Sequence, residues 1–409
     1  MILLMVLVSI IWGGSLEQER LWTRNFVVIS LASFFVAMVF YLLMTTMALF
    51  SVQEFQANQS QAGLASGVFV VGALGFRLLV GRYIELIGRK KVVYGSLFLF
   101  FLLSFLYWKV DNLQFLFLVR FIHGGAFGAA NTAIQTIIID NIPLAKRGEG
   151  IGYFSLSSTL ATAIGPLLGI VLMQYCGFEM IFLACNILAM ISIICLYLAQ
   201  IKNVELSIEQ RNSFKNLHWQ DFFEEKALPI SLIMFVMGIA FSGILTFINS
   251  YALSLNLALA AKFFFLIYAV FIIISRPFTG RLLDLKGDNF IMYPALFVYG
   301  ISLFLLSEGY NDYLFLTAGA LIGLGFGTVM SSSQVIATKK SPRHKMGLAT
   351  ATFFFALDFG VGIGPYFIGL LIPYIGFSGM YKLLSIIVIA MILAYHYLHG
   401  KSFKNITTK

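Results

Sequence analysis

Three side chains stand where charge is expensive, and two of them, an aspartate and a histidine, could exchange a proton. Asp358 interrupts the run FFFALDFGVGIGP near the middle of an apolar segment over 347–371. Desolvation penalises its ionised form, which suits a group that loads and releases a proton. Arg120 lies in LVRFIHGGAFGAAN, about 12 Å below the outer end of its segment at 1.5 Å per residue. An unpaired charge at such depth costs roughly 2.5–3.5 kcal/mol or more, so a compensating group is required. His123 is one helical turn away on a similar face, a titratable neighbour for that charge or a neutral, satisfied ring. No Asp or Glu occurs over 25–49 to answer Arg120 from the first segment. Tyr41 and Thr45 in that segment, with Asn249 and Tyr251 in the seventh, are polar groups that could line a cavity or pack between helices.

The segments that hold these residues form a repeat. Arg77, Gly81, Arg82, Glu85 and Gly88 of RLLVGRYIELIG return 199 positions later as Arg276, Gly280, Arg281, Asp284 and Gly287 of RPFTGRLLDLKG. The same offset joins Gly124 to Gly323, Gly128 to Gly327, Gln135 to Gln334, Pro143 to Pro342, and Gly165-Pro166 to Gly364-Pro365. Two homologous halves are implied, an arrangement suited to rocking one half against the other.

Composition sets the medium. Of 409 residues, 60% are hydrophobic and only 11% charged, with a mean hydropathy of +0.91. A span needs about 20 apolar residues and must pair its backbone internally, so the expectation is an all-α polytopic membrane protein. Twelve spans are predicted, over 25–49, 62–82, 91–109, 113–137, 148–172, 177–200, 228–253, 258–280, 290–307, 312–335, 347–371 and 378–398. They group into an N-terminal six-helix bundle (22–201), a polar linker (202–227) and a C-terminal bundle (228–399). Residues 1–21 form an extension whose apolar start is too short to span, and 400–409 form a tail.

The net charge of +9 does not mark a nucleic-acid binder, because the cations sit in alternate loops. Arg82, Arg89, Lys90, Lys91, Lys146, Arg147, Lys202, Lys226, Arg281, Lys286, Lys339, Lys340 and Lys401 fall on one side; Lys109 and Lys262 fall on the other. Both termini and the linker are therefore expected in the cytoplasm. Cys176, Cys185 and Cys195 have no metal-ligand spacing. No nucleotide-phosphate motif, metal cluster or nucleophile arrangement is present, which argues against an enzyme and against any cofactor.

The stretch Gly81–Lys91, G-R-Y-I-E-L-I-G-R-K-K, resembles the signature loop of the major facilitator superfamily. The resemblance implies that Arg77, Gly81, Arg82, Glu85, Gly88 and Arg89, with Arg276, Gly280, Arg281 and Asp284 in the second half, govern conformational gating. It implies that Asp140 pairs with the first of these loops; Lys339 stands at the matching place in the second half. Arg120 resembles the family's embedded arginine tied to proton coupling. Residues 148–172, with Gly152, Gly165, Pro166 and Gly169, are similar to the family's antiporter motif, although Ala161 and Ile170 replace glycines. Small residues on one face plus a proline make a bendable, closely packed helix. The family's architecture sets helix 2 against helix 11, so Asp358 either loads a proton or neutralises Arg77, roles that are compatible; Thr159 would then face Arg276.

The implied function is export of small organic compounds, drug-like or metabolite, in exchange for protons, by a monomer in the cytoplasmic membrane. A dedicated exporter of a metallophore or amino-acid derivative is the nearest alternative, and uptake of a sugar or organic acid the next.

Overall fold

The computed structural model describes residues 21–143, 147–201, 223–339, 341 and 346–401, and among these the regular structure is entirely helical. The N-terminal half contains α1 (Arg24–Phe55), α2 (Gln59–Ile87), α3 (Arg89–Leu106), α4 (Leu113–Asp140), α5 (Arg147–Cys176) and α6 (Phe178–Tyr197). The C-terminal half contains α7 (Leu228–Ser254), α8 (Ala258–Lys286), α9 (Asp288–Ser307) and α10 (Asp312–Lys339). Met346–Tyr395 then runs as one helical stretch except at Gly376, whose φ of 68° and ψ of 175° break it. We label its parts α11 (346–375) and α12 (377–395). By length and apolarity alone there are eleven uninterrupted candidate spans among the described residues. The last of them, Leu348–Gly400, has 53 residues, far more than one crossing of roughly 30 Å needs. Divided at Gly376, it supplies the eleventh and twelfth crossings.

The repeat governs the backbone as well as the side chains. Gly88 and Gly287 separate α2 from α3 and α8 from α9, with φ of 101° and 81°; Gly177 and Gly376 separate α5 from α6 and α11 from α12, with φ of 82° and 68°. Both pairs are 199 apart. A side chain with a Cβ is disfavoured at such φ, so glycine lets consecutive spans reverse without a long loop. Elsewhere the spans start on side-chain caps. Thr23 Oγ1 accepts from the Phe26 amide at 3.2 Å, Asn112 Oδ1 from the Phe115 amide at 2.8 Å, and Asn58 forms a reciprocal capping box with Gln61.

Chain ends and alternate loops meet at one end of the bundle. Asn25 at the start of α1 donates to Asn141 after α4 (3.0 Å) and to the Gln200 carbonyl after α6 (2.9 Å). Past α12, a short π-helical turn (His396–Gly400) docks on the start of α9. There His399 Nε2 lies 3.0 Å from Asp288 Oδ2, and Asn289 donates to the Gly400 carbonyl at 3.0 Å.

The halves meet along α2 against α11, α5 against α8 and α1 against α7. Between α2 and α11 the fit is very close at the end away from the termini. A Cβ at Gly63 or Gly67 would collide with the backbone of Pro365 or Gly362, and one at Gly369 with that of Gln59. Gly75 and Gly81, further along α2 toward the terminal end, face open space. The seam thus closes at one end and relaxes toward the other. Around the outside, Phe98, Leu102, Phe278, Phe297 and Leu393 are exposed, the apolar belt that hydrocarbon solvates.

Candidate functional site

Asp358 and Arg77 meet across the seam. The Arg77 guanidinium donates to Asp358 Oδ2, joining α2 to α11, and each side chain is 23% exposed. Of the two readings left open for Asp358, neutralisation of Arg77 is therefore realised in the geometry, in a place that retains some access.

The equivalent position in the other half differs. Arg276 Nη1 donates to Ser155 Oγ on α5 at 3.1 Å, and its Nε has no hydrogen-bond partner. Sequence symmetry pointed to Thr159. That hydroxyl instead donates to the Ser155 carbonyl at 3.2 Å, one turn along the same face. Arg276 thus bonds one turn away from the position that the repeat matches to Asp358.

Two tyrosines lie on helices of the same seam. Tyr41 of α1 is half-buried where Gly165 of α5 packs on it, and Tyr268 of α8 is buried two helical turns before Arg276. The polar groups on the seam helices thus include Arg77, Asp358, Tyr41, Tyr268 and Arg276. Phe241 stacks beside Tyr268 with ring centroids 5.8 Å apart. Tyr268 was not anticipated, although its spacing of eight residues from Arg276 keeps both on one helix face.

Arg120 and His123 lie elsewhere, inside the N-terminal half. Arg120 is 1% exposed; its Nε donates to the Ala65 carbonyl at 2.8 Å and its Nη2 to the Ser66 carbonyl at 3.1 Å. Its guanidinium carbon sits 4.5 Å from the centroid of the Phe69 ring. The required compensation comes from α2 carbonyl dipoles and an aromatic face rather than from an acid. His123 is fully buried, with Nδ1 2.9 Å from the Tyr107 hydroxyl and Nε2 3.4 Å from Ser104 Oγ. No sequence signal announces these partners, since carbonyls are everywhere and Phe69 is one of 42 phenylalanines.

The loop after α2 forms an ionic cluster. Arg89 Nε lies 2.8 and 3.0 Å from the Glu85 oxygens, its Nη2 2.6 Å from Glu85 Oε1, and its Nη1 donates to Asp140 at the end of α4. The pairing of Asp140 with this loop is thus present. Arg82 stacks near the Tyr83 ring at 5.8 Å. The side chains of Arg281 and Asp284, and the surroundings of Gly280, lie outside the described residues.

The small residues of α5 pack on α1. Gly165 faces Tyr41 and Leu42, and Gly169 faces Thr46 and Leu42, with Pro166 inside the helix. Gly152 lies on α5 near the terminal end, its surroundings outside the described residues. Among the other polar positions, Thr45 is buried and bonds back to the Tyr41 and Leu42 carbonyls at 3.0 and 3.1 Å. Asn249 is buried at the inter-half contact, its Nδ2 3.9 Å from Met173 Sδ of α5. Tyr251 points into the C-terminal half, where its hydroxyl donates to the Ser307 carbonyl at 3.0 Å. Of the four, only Tyr41 is among the seam groups above.

Known proteins with related sequences and shapes agree with this architecture. The family model described as Major Facilitator Superfamily matches residues 29–365 and 291–407. An uncharacterised MFS-type transporter of Methanocaldococcus jannaschii is 25% identical over 345 residues, covering 82% of this chain and 88% of that protein. The staphylopine export protein of Staphylococcus aureus is 23% identical over 359 residues (82% and 87%). A quinolone resistance transporter of Acinetobacter baumannii is 27% identical over 367 residues (81% and 84%). Among solved structures, a POT family transporter in complex with 5-aminolevulinic acid superposes with a TM-score of 0.76 at 14% identity, covering 94% of this chain and 98% of that one.

Proposed function

Because the chain belongs to the major facilitator superfamily, we propose that it exports small organic compounds across the cytoplasmic membrane in exchange for protons. The Arg77–Asp358 pair on the seam carries this reading. Alternating access requires the α2–α11 contact to be remade in each cycle, and an ion pair lying across it resists that movement. When a proton binds the Asp358 carboxylate, the neutral acid no longer holds the guanidinium, and Arg77 is released. When the proton leaves toward the cytoplasm, the pair reforms. The export direction draws on the α5 residues Gly165, Pro166 and Gly169, and on relatives whose names include staphylopine export and quinolone resistance.

Orientation follows from the cations. With the Gly88 loop and both chain ends in the cytoplasm, the glycine-packed end of α2 and α11 faces outward and the arrangement is inward-facing. The Glu85–Arg89–Asp140 cluster then belongs to the cytoplasmic latch, together with Gly81, Arg82 and Gly88. Arg120 and His123, tied into α2 and α3, hold the wall of the N-terminal half in place and take no part in proton exchange. A monomer contains all of the seam groups.

Everted vesicles test this reading, with an imposed pH gradient and a panel of dyes and metabolites. Asp358→Asn, present in the membrane in normal amount, is expected to lose gradient-driven accumulation while retaining downhill exchange of the same compound. Gradient-driven accumulation at the unaltered rate would remove Asp358 from coupling.

A further inference from the structure

The two seam arginines are not equivalent in charge. Among the described residues Arg77 has a carboxylate, whereas Arg276 has the neutral Ser155 hydroxyl and an Nε without a partner. Among the described seam groups, Asp358 is the only acid, and it is already engaged by Arg77. One positive charge is therefore left over, in a segment where charge is disfavoured unless matched. Tyr268, two helical turns before Arg276 on α8, is stacked with Phe241. Arg120 also keeps one partnerless nitrogen, Nη1, but it is 1% exposed inside the N-terminal half, bonded to α2 carbonyls and away from the seam, where no cargo reaches it.

We infer that the cargo bears a carboxylate, which takes Arg276 as its partner while its apolar or aromatic body lies against Tyr268 and Tyr41. This rests on the transport reading above and names the cargo class for the same seam. A planar monoanion matches the unsatisfied edge of one guanidinium, through charge-assisted hydrogen bonds with fixed geometry. A phosphate dianion would call for a second free cation, and Arg77 is committed to Asp358.

The test compares N-acetylphenylalanine with its carboxamide, which keeps the shape and removes the charge, and with phenethylammonium, which reverses it. Binding is measured by calorimetry on the purified full-length protein, and flux in proteoliposomes with and without a pH gradient. The carboxylate is expected to bind at least about tenfold more tightly than the amide. Arg276→Gln should erase that ratio, and Arg276→Lys should keep part of it. Equal or tighter binding of the amide or the cation, no measurable carboxylate binding at millimolar concentration, or a ratio surviving Arg276→Gln would overturn the inference. Proton exchange is judged separately. Gradient-driven flux of phenethylammonium without carboxylate preference supports antiport and sinks the anion site; carboxylate preference with gradient-independent flux does the reverse.

Discussion

The two halves share a backbone plan and differ in how they treat charge. In the N-terminal half three buried or half-buried arginines have partners within hydrogen-bonding reach: Arg77 has Asp358, Arg89 has Glu85 and Asp140, and Arg120 has two carbonyls beside a ring, with one nitrogen of Arg120 left over. In the C-terminal half Arg276 has a serine hydroxyl, the place of Arg120 is taken by Gly319, and Arg89 and Asp140 are replaced by Asp288 and Lys339. The ionic positions at the base of the bundle thus keep their places and exchange sign. Duplication preserves the geometry that closes helices on one another, while the two halves differ in which charges they pair. This is an economical route to a polar seam in a symmetric scaffold.

That contrast can be broken by substitution. The largest effect is expected at the closed end of the seam. Gly67→Leu would drive a side chain into the Gly362 backbone, and overpacking of this kind costs about 1–3 kcal/mol or more. The halves should separate there, seen as increased labelling of cysteines placed at the ends of α2 and α11; unchanged labelling would mean the glycine contact is not what closes that end.

Next come the paired arginines. Arg77→Gln leaves Asp358 without its partner, which for a fully buried pair costs about 3–5 kcal/mol, and less here given the partial exposure. Arg276→Gln removes a charge that has no acid and should be neutral or mildly stabilising. A melting temperature lowered equally by both variants would dissolve the distinction between the halves. Exchanging the pair, Arg77→Asp with Asp358→Arg, should recover most of the stability lost in either single variant.

Arg120→Met is expected to cost about 1–3 kcal/mol, since it removes charge-assisted bonds to Ala65 and Ser66 but also the charge itself. Phe69→Leu should lose about 0.5–2 kcal/mol through the cation–π contact. A double-mutant cycle reads the coupling, and strict additivity would show that ring and guanidinium do not interact. Smallest of all is Asp140→Asn at the exposed edge of the latch, worth about 1 kcal/mol or less. Its expected signature is a shift in the balance of conformations on the two sides of the membrane rather than a fall in melting temperature; a fall with no shift would make the cluster merely structural.

The extent of the fold could be read from residue order because its causes are local. Apolar run length sets the span, glycine at Gly88, Gly177, Gly287 and Gly376 sets the reversals, and a constant offset exposes the duplication. The meeting of Arg77 with Asp358 was legible only through the family's helix arrangement, with 281 residues between them. Whether Tyr251 and Thr45 line a cavity or pack between helices was left open for a related reason. In a uniformly apolar helix nothing in the periodicity tells the lipid face, the bundle interior and the seam apart.

Residue order by itself determined that this chain is a polytopic helical membrane protein with a twofold repeat, and that the charges of Asp358 and Arg120 would need an answer. Only the tertiary structure decided which answer each charge received: a carboxylate from the other half for Arg77, carbonyls of the neighbouring helix for Arg120, and a single hydroxyl for Arg276. The reason is physical. Hydrophobicity and backbone conformation act within a few residues, whereas the neutralisation of a buried charge depends on which helix rotates its polar group to within about 3 Å, and that is set by packing across the whole bundle.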